Sequence, residues 1–466
     1  MLPTAALLLG LAGTVLGFNA CQSIADEVSF ATDVYYPGSS SYIVDNEHYA
    51  TSSSQISKCS VEPGSTEDVG IILNILGKTK TPFGVKGGGH SANRGFSSTT
   101  GVQIAMARFN EVTYDPATQT AVIGAGNIWD DVYKVLNARG VNVLGGRVTE
   151  VGVAGFTLGG GYSYLSNQYG LALDNVVAYE LVMPNSTVVT VTQENDPDLF
   201  FSLKGGFNNY GIVTRFTLKA YPQGPVWGGA VSYNASYMSA FNAAAVKFCS
   251  EVTDPRAAMV MTYAYASGQV SLSAMMFYDG PITPDGIFDD FLAISASSQD
   301  ITTRSFLDLV ASATFPTGLR AAYNHIPILE YSESTIESII NELNGPTLSA
   351  HGATSVIYTI EPFLPSLLTH APAGSSAYPG SRDHVVFPSL MSSQWVSESE
   401  DAVFYDAVRQ TTERLGVAGE TIYPNYAIYD APVVDMYGKH GVKRMEATRR
   451  RVDPHDVMLL TGGFKV

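Results

Sequence analysis

Forty-four glycines in 466 residues are spread unevenly along this chain. They gather in Gly87-Gly88-Gly89, between Gly145 and Gly161, and in Gly205-Gly206. Glycine reaches positive φ freely and lets the backbone approach another group closely, so clusters without a collagen period mark special backbone sites. In Lys86-Gly87-Gly88-Gly89-His90-Ser91, successive backbone N–H groups can be presented to an anion, and a diphosphate is the obvious candidate. No Gly-Lys-Ser/Thr follows, so this is not a Walker loop, and it is not G-x-G-x-x-G either. Taken alone, such a stretch is most often only a turn. A second cluster runs from Gly145-Gly146-Arg147-Val148-Thr149-Glu150-Val151-Gly152 into Gly155-Phe156-Thr157-Leu158-Gly159-Gly160-Gly161-Tyr162-Ser163. It suits a long cofactor lying across both loops.

Around these clusters the pattern mixes helices and strands. A helix is expected over 66–76, with Ser65 or Thr66 as N-cap and acids in its first turn. The segment 82–86 reads as a short strand ending in the first glycine loop. Hairpins are expected over 112–123 and 176–191. Asn127 is expected to cap an amphipathic helix whose one face carries Trp129, Val132, Tyr133 and Leu136. Pro222-Gln223-Gly224-Pro225 suggests a domain boundary. The order of elements points to α+β architecture rather than a regular βαβ series. The length suggests two domains or more.

Hydrophobic residues make up 45% and charged residues 15%, enough for large cores. Residues 1–17 hold no charged side chain and are apolar around Leu7, Leu8, Leu9 and Leu11, with small residues following. They read as a signal peptide, so a secreted protein is expected; a buried N-terminal helix is the alternative. No second apolar run reaches about 18 residues, so no membrane anchor is expected. In an exported chain, Cys21, Cys59 and Cys249 suggest one disulfide and one spare thiol. The expected pair is Cys21–Cys59, with Cys249 buried and free. Sequons at Asn185 and Asn234 mark candidate glycosylation sites. A net charge of −17 argues against nucleic acid as a partner. The eight histidines are scattered without metal-site spacing.

Two further segments complete a recognisable set: Lys204-Gly205-Gly206-Phe207-Asn208-Asn209-Tyr210-Gly211-Ile212-Val213-Thr214 and Tyr423-Pro424-Asn425-Tyr426. With these motifs in this order and at these separations, nearly the whole mature chain resembles the vanillyl-alcohol-oxidase flavoproteins. The similarity is to their berberine-bridge-enzyme-like branch, including 6-hydroxynicotine-oxidase-like and carbohydrate-oxidase members. The resemblance implies a two-domain α+β fold. Its flavin domain (PCMH type) would be built from both chain ends, 18–222 and 405–466. Residues 223–404 would form an antiparallel-sheet substrate domain backed by helices.

The resemblance also implies FAD, covalently attached through His90. Lys86, Gly87, Gly88, Gly89, Ser91, Val151, Gly152, Gly155, Gly159, Gly160, Gly161, Ser163, Ile212, Val213 and Asn425 would bind it. Many relatives carry a second flavin-linking cysteine where this chain has Val148, so a single link is expected. Tyr423 matches the tyrosine that faces the flavin and is the candidate base, with pocket-shaping as its plainer role. Gln394, Trp395 and Tyr426 are candidate substrate contacts. Val151 matches the position lining the approach of O2.

The implied activity is oxidation of an alcohol, sugar or amine-like small molecule by hydride transfer to flavin, with O2 as acceptor. Two alternatives stay open: an oxidative or redox-neutral cyclase in natural-product biosynthesis, and a flavin-holding surface protein with little catalysis.

Overall fold

The computed structural model describes residues 19–266, 268–314, 316–343 and 352–466; the expected signal segment lies outside them. Ser65 accepts the Asp68 N–H and starts the helix Thr66–Thr79, with Glu67 and Asp68 in its first turn. Val69, Ile72, Leu73 and Leu76 repeat at helical spacing and are buried against the first core. This helix belongs to a unit with a four-stranded sheet, ordered Asp33–Tyr35, Cys59–Glu62, Val102–Ala105, Phe83–Lys86. The last three strands run parallel, and Phe83–Lys86 delivers the first glycine loop from the sheet edge.

The hairpins Val112–Asp115/Thr120–Gly124 and Val176–Val182/Val188–Val191 flank the strand Ile212–Lys219 in a five-stranded antiparallel sheet. The helix Trp129–Asn137 buries Trp129, Val132, Tyr133 and Leu136. Asn127 does not cap it. Ile128 holds that position, while the Asn127 amide donates to the Gly124 and Glu111 carbonyls. The Asn127 carbonyl accepts the Val153 N–H. Its amide ties the hairpin end down, and no side chain caps the helix terminus.

From Val226 to Trp395 the chain builds an antiparallel sheet of eight strands, with Arg320–Ile328 at one edge. Side chains alternate across its faces. Met261, Tyr263, Ala274, Met276, Tyr358, Ile360, Met391 and Trp395 are buried in a second core. The helices Met238–Glu251, Glu333–Leu343 and Asp401–Leu415 contribute Phe241, Ile336, Ile339, Phe404 and Val408 to that core. On the opposite face Thr262, Ala264, Ser273, Ile357, Leu390 and Tyr323 are only half-buried.

Trp395 therefore corrects the expectation of a substrate contact. It stacks on Phe404 at 4.6 Å and its indole N–H donates to Asp401 at 2.9 Å, on the helix side of the sheet. Strand alternation gives Gln394 the other face and Trp395 this one.

The C-terminal segment returns to the first unit. The helix Val433–Val452, broken at Gly438, packs on Pro197–Leu203, and Thr461 bridges to Phe83. The α+β, two-unit arrangement with a large antiparallel sheet is the one the sequence implied. Among the described residues no helix is long and apolar enough to cross a membrane, and no acidic, cysteine or histidine cluster could hold a metal.

Cys21 and Cys59 are joined, tying the helix Ala20–Glu27 to the four-stranded sheet across a sequence separation of 38. Closing a loop of that length is worth roughly 4 kcal/mol in the chain-entropy picture. Cys21→Ser is expected to lower the denaturant midpoint of the first unit accordingly. Dithiothreitol should bring the wild type to the same midpoint and leave the variant unmoved.

Candidate active site

The two glycine stretches meet backbone to backbone. A Cβ on Gly88 would lie 2.6 Å from Gly152 Cα, so neither residue could carry a side chain without parting the loops. Gly89 takes φ 72, a conformation costly for other residues. Along this loop the N–H groups of Gly87, Gly88, Gly89, His90 and Ser91 donate to no acceptor among the described residues. Such a row of free donors is a cradle for an anionic group such as a diphosphate. Gly155, in the helix Val153–Leu158, is exposed, and a Cβ there would meet nothing within 4 Å, leaving a bare backbone face beside the loop.

His90 stacks on Tyr49 with ring centroids 4.4 Å apart. Neither ring nitrogen bonds to another described residue; only its carbonyl does, accepting from Tyr323 at 3.3 Å. Burial pushes its pKa down to about 4, so the imidazole is neutral and keeps a free lone pair.

The Lys86 side chain turns away from the glycine loop. Its ammonium donates to the Val44 carbonyl at 2.7 Å and lies near the Asp45 and Glu47 carboxylates. These draw the charge under the loop. Ser91 accepts the Asn93 N–H at 3.2 Å and stiffens the loop exit.

The end of the second glycine cluster is closely packed by protein side chains. A Cβ on Gly159 would collide with Asn425, one on Gly160 would lie 2.9 Å from the Tyr423 ring, and one on Gly161 2.6 Å from Phe156. These glycines admit the C-terminal motif. Ser163 is fully buried, and Ile212 and Val213 are in the first core. Val151 is partly buried against that core, and its carbonyl accepts the Trp129 N–H. Gln394 donates to the Pro316 carbonyl at 3.0 Å and to Tyr49 at 3.4 Å. Asn185 and Asn234 are exposed.

Tyr423 sits at the centre. It is 2% exposed and packs edge-on against Tyr162 and Tyr426 at 4.8 and 4.9 Å. Its oxygen accepts the Gly161 N–H at 3.1 Å and the Asn425 amide at 3.0 Å. The backbone N–H of Tyr423 donates to His325 Nδ1 at 3.1 Å. Burial pushes the Tyr423 pKa up to about 12, while the Asn425 amide, the Gly161 N–H and the Arg147 guanidinium pull it down.

Tyr426 is arranged differently. It donates to the Glu361 carboxylate at 3.3 Å and accepts from Arg147 at 3.1 Å, and burial with the Glu361 charge holds its pKa well above normal. Arg147 and Glu361 form an ion pair, with side chains 10% and 2% exposed, and Thr359 donates to Glu361 at 2.8 Å. Sequence reasoning missed this pair. Arg147 stood inside the glycine cluster without a partner in view. Glu361 follows the strand Ser355–Ile360, whose alternation places odd-numbered residues on the face toward the loops.

A cradle of free backbone donors, a neutral and unpaired histidine, and a buried tyrosine whose oxygen collects N–H donors fit FAD and the redox chemistry it supplies. They define a flavoprotein oxidoreductase. The FAD binding domain family model matches residues 57–192. An FAD-dependent monooxygenase of Aspergillus calidoustus is 30% identical, the match covering 96% of this chain and 88% of that one. The bifunctional solanapyrone synthase of Alternaria solani is 29% identical over 94% of this chain and 88% of its own. Among solved structures, 6-hydroxy-D-nicotine oxidase from Arthrobacter nicotinovorans aligns with TM-score 0.78 at 21% identity, covering 93% of this chain and 97% of that one. The carbohydrate oxidase from Microdochium nivale aligns with TM-score 0.76 at 17% identity, covering 94% and 98%. The chain belongs to the FAD-linked oxidoreductases of the vanillyl-alcohol-oxidase, PCMH-type family, and FAD is its cofactor.

Gly160 takes φ 132 directly beneath the Tyr423 and Tyr378 rings. Gly160→Ala is expected to cost about 1–3 kcal/mol in backbone strain alone. It should lower the thermal midpoint and slow flavin reduction by displacing Tyr423. A variant with wild-type melting and reduction would mean the ring is not held by this contact.

Proposed function

We propose that this protein is a secreted oxidase. It holds FAD through one bond from His90, takes a hydride from an alcohol-, sugar- or amine-like small molecule, and passes the electrons to O2. The observation that carries this reading is the Tyr423 oxygen. It receives two N–H donors near a guanidinium and has no acceptor for its own proton among the described residues. These donors and the guanidinium offset part of the burial that raises its pKa, and they suit a base that removes the substrate O–H or N–H proton. Tyr426 donates a hydrogen bond to Glu361 and stays neutral, so it serves to position the substrate or Arg147 rather than to act as base. His325 holds the Tyr423 backbone, and burial keeps it neutral with a pKa near about 4.

Export is supported by the apolar leader, by the Cys21–Cys59 bridge and by exposure of both sequons, Asn185 and Asn234. A second reading, oxidative or redox-neutral ring closure in natural-product biosynthesis, is favoured by the solanapyrone synthase among the relatives. The relatives bearing the name monooxygenase add a third use of O2, insertion into the product. Turnover of a substrate panel under ¹⁸O₂ separates them. Unlabelled product with one hydrogen peroxide means oxidase, or oxidative cyclase where the product has gained a ring; labelled product means monooxygenase; ring closure without peroxide means redox-neutral cyclase.

Tyr423→Phe is expected to slow anaerobic flavin reduction by about 10²–10⁴ while FAD remains bound. With the pKa near about 12, the ionised fraction of Tyr423 rises about tenfold per pH unit below that value. The wild-type reduction rate should therefore climb with pH, and the variant should lose that slope. Reduction at the wild-type rate would leave Tyr423 as a wall residue.

Val151 is assigned to the path of O2. Val151→Leu is expected to slow reoxidation about tenfold, equivalent to about 1.4 kcal/mol of barrier, and to spare anaerobic reduction. Stopped-flow mixing of the reduced enzyme with oxygenated buffer measures it, and an unchanged rate removes Val151 as the gate.

A further inference from the structure

The sheet edge formed by Arg320–Ile328 lies against the segment that holds His90. Edge strands leave backbone groups unpaired, and here a loop covers them. Thr51 N–H donates to the Leu319 carbonyl at 2.9 Å. Ser52 Oγ accepts the Ala321 N–H at 3.1 Å and donates to the Ala321 carbonyl at 3.0 Å. Ala50, Ala92 and Ala321 bury together, with Tyr49 and Tyr323 packed around them.

The consequences converge on one residue. The Tyr49 ring lies parallel to the His90 imidazole, 4.4 Å away and tilted 12°. Its backbone N–H donates to the Gly89 carbonyl at 3.0 Å. Its hydroxyl is met by the Gln394 amide from the adjacent strand. Tyr323 donates to the His90 carbonyl at 3.3 Å and accepts the Ala92 N–H at 3.2 Å. The backbone before, at and after His90 is thus pinned, while its ring nitrogens stay unbonded. Stacking fixes the ring plane without consuming a nitrogen lone pair.

We propose that this seam is the device that aims His90 for covalent attachment, with Tyr49 and Tyr323 as its positioning residues. The proposal rests on the covalent reading above. In the attachment, one C–H bond of the flavin 8α-methyl group and the imidazole N–H are exchanged for a C–N bond. The two electrons and two protons pass through the flavin ring to O2, which leaves as hydrogen peroxide. An unstacked imidazole would sample several rotamers, and the loss of a near-attack geometry slows bond formation steeply. The substrate-side sheet therefore acts on cofactor loading as well as on substrate.

The test uses the full-length chain, freed of flavin during expression under riboflavin limitation, then incubated with FAD in air. The readout is the fraction of flavin that stays with acid-precipitated protein, followed over time, alongside total bound FAD and the thermal midpoint. Tyr49→Ala and Tyr323→Phe should bind FAD and attach it about tenfold or more slowly than wild type, whereas Tyr49→Phe should attach it normally. His90→Ala should attach none. Wild-type rates in both Tyr49→Ala and Tyr323→Phe overturn the positioning role alone. Fully acid-extractable flavin in the wild type overturns the covalent reading and the proposal with it. Should Tyr49→Ala fail to fold, Tyr323→Phe decides, since it removes one oxygen and no packing volume.

Discussion

The contact between Gly88 and Gly152 is the constraint on which the rest of the site depends. Two loops from distant parts of the chain touch through their backbones, and any side chain at either position would hold them apart. One loop is delivered by the strand Phe83–Lys86, the other leads into the helix Val153–Leu158. Because the loops are locked together, the free N–H groups of 87–91 and the bare face at Gly155 line one surface. The same principle recurs a turn later. Gly159, Gly160 and Gly161 are small so that Asn425, Tyr423 and Phe156 can occupy the space beside them, which brings the C-terminal motif to the same surface.

Electrostatics then separates two tyrosines three residues apart. Both are buried, and burial alone would leave both as neutral phenols. Tyr426 meets a carboxylate and remains a donor. Tyr423 meets N–H donors and a guanidinium, which offset part of the burial that raises its pKa. The buried Arg147–Glu361 pair is close to neutral as a unit, yet it is oriented: Glu361 faces Tyr426, and Arg147 also acts on Tyr423. Removing either member would leave a charge in a low-dielectric setting, a costly arrangement. The pair therefore comes as one element. The sheet face opposite, with Thr262, Ser273 and Ile357, is half-buried.

Much of the architecture was legible before any coordinates. The helix after Ser65 announced itself by its cap, its acidic first turn and its apolar repeat; the hairpins by alternation around turn residues. These signals are local, since each depends on residues within one or two turns. The four motifs added order along the chain, and their combination carried the resemblance to a flavoprotein family. Where a local signal competed with a distant partner it misled. Asn127 has the chemistry of a helix cap but spends its amide on carbonyls at 111 and 124. Lys86 adjoins the glycine loop but turns to Val44, Asp45 and Glu47.

The sequence by itself determined the elements, the glycine loop bearing His90 and the α+β class, because backbone freedom, capping and periodicity are written in neighbouring residues. Only the tertiary structure decided which side of a strand faced the loops, separating Gln394 from Trp395, and which charges met, joining Arg147 to Glu361 across more than two hundred residues. It also set Asn425, Tyr423 and Phe156 against the glycines at 159–161. Such pairings depend on sheet order and on the return of the C-terminal segment, and no spacing along the chain encodes a contact made between segments so far apart in sequence.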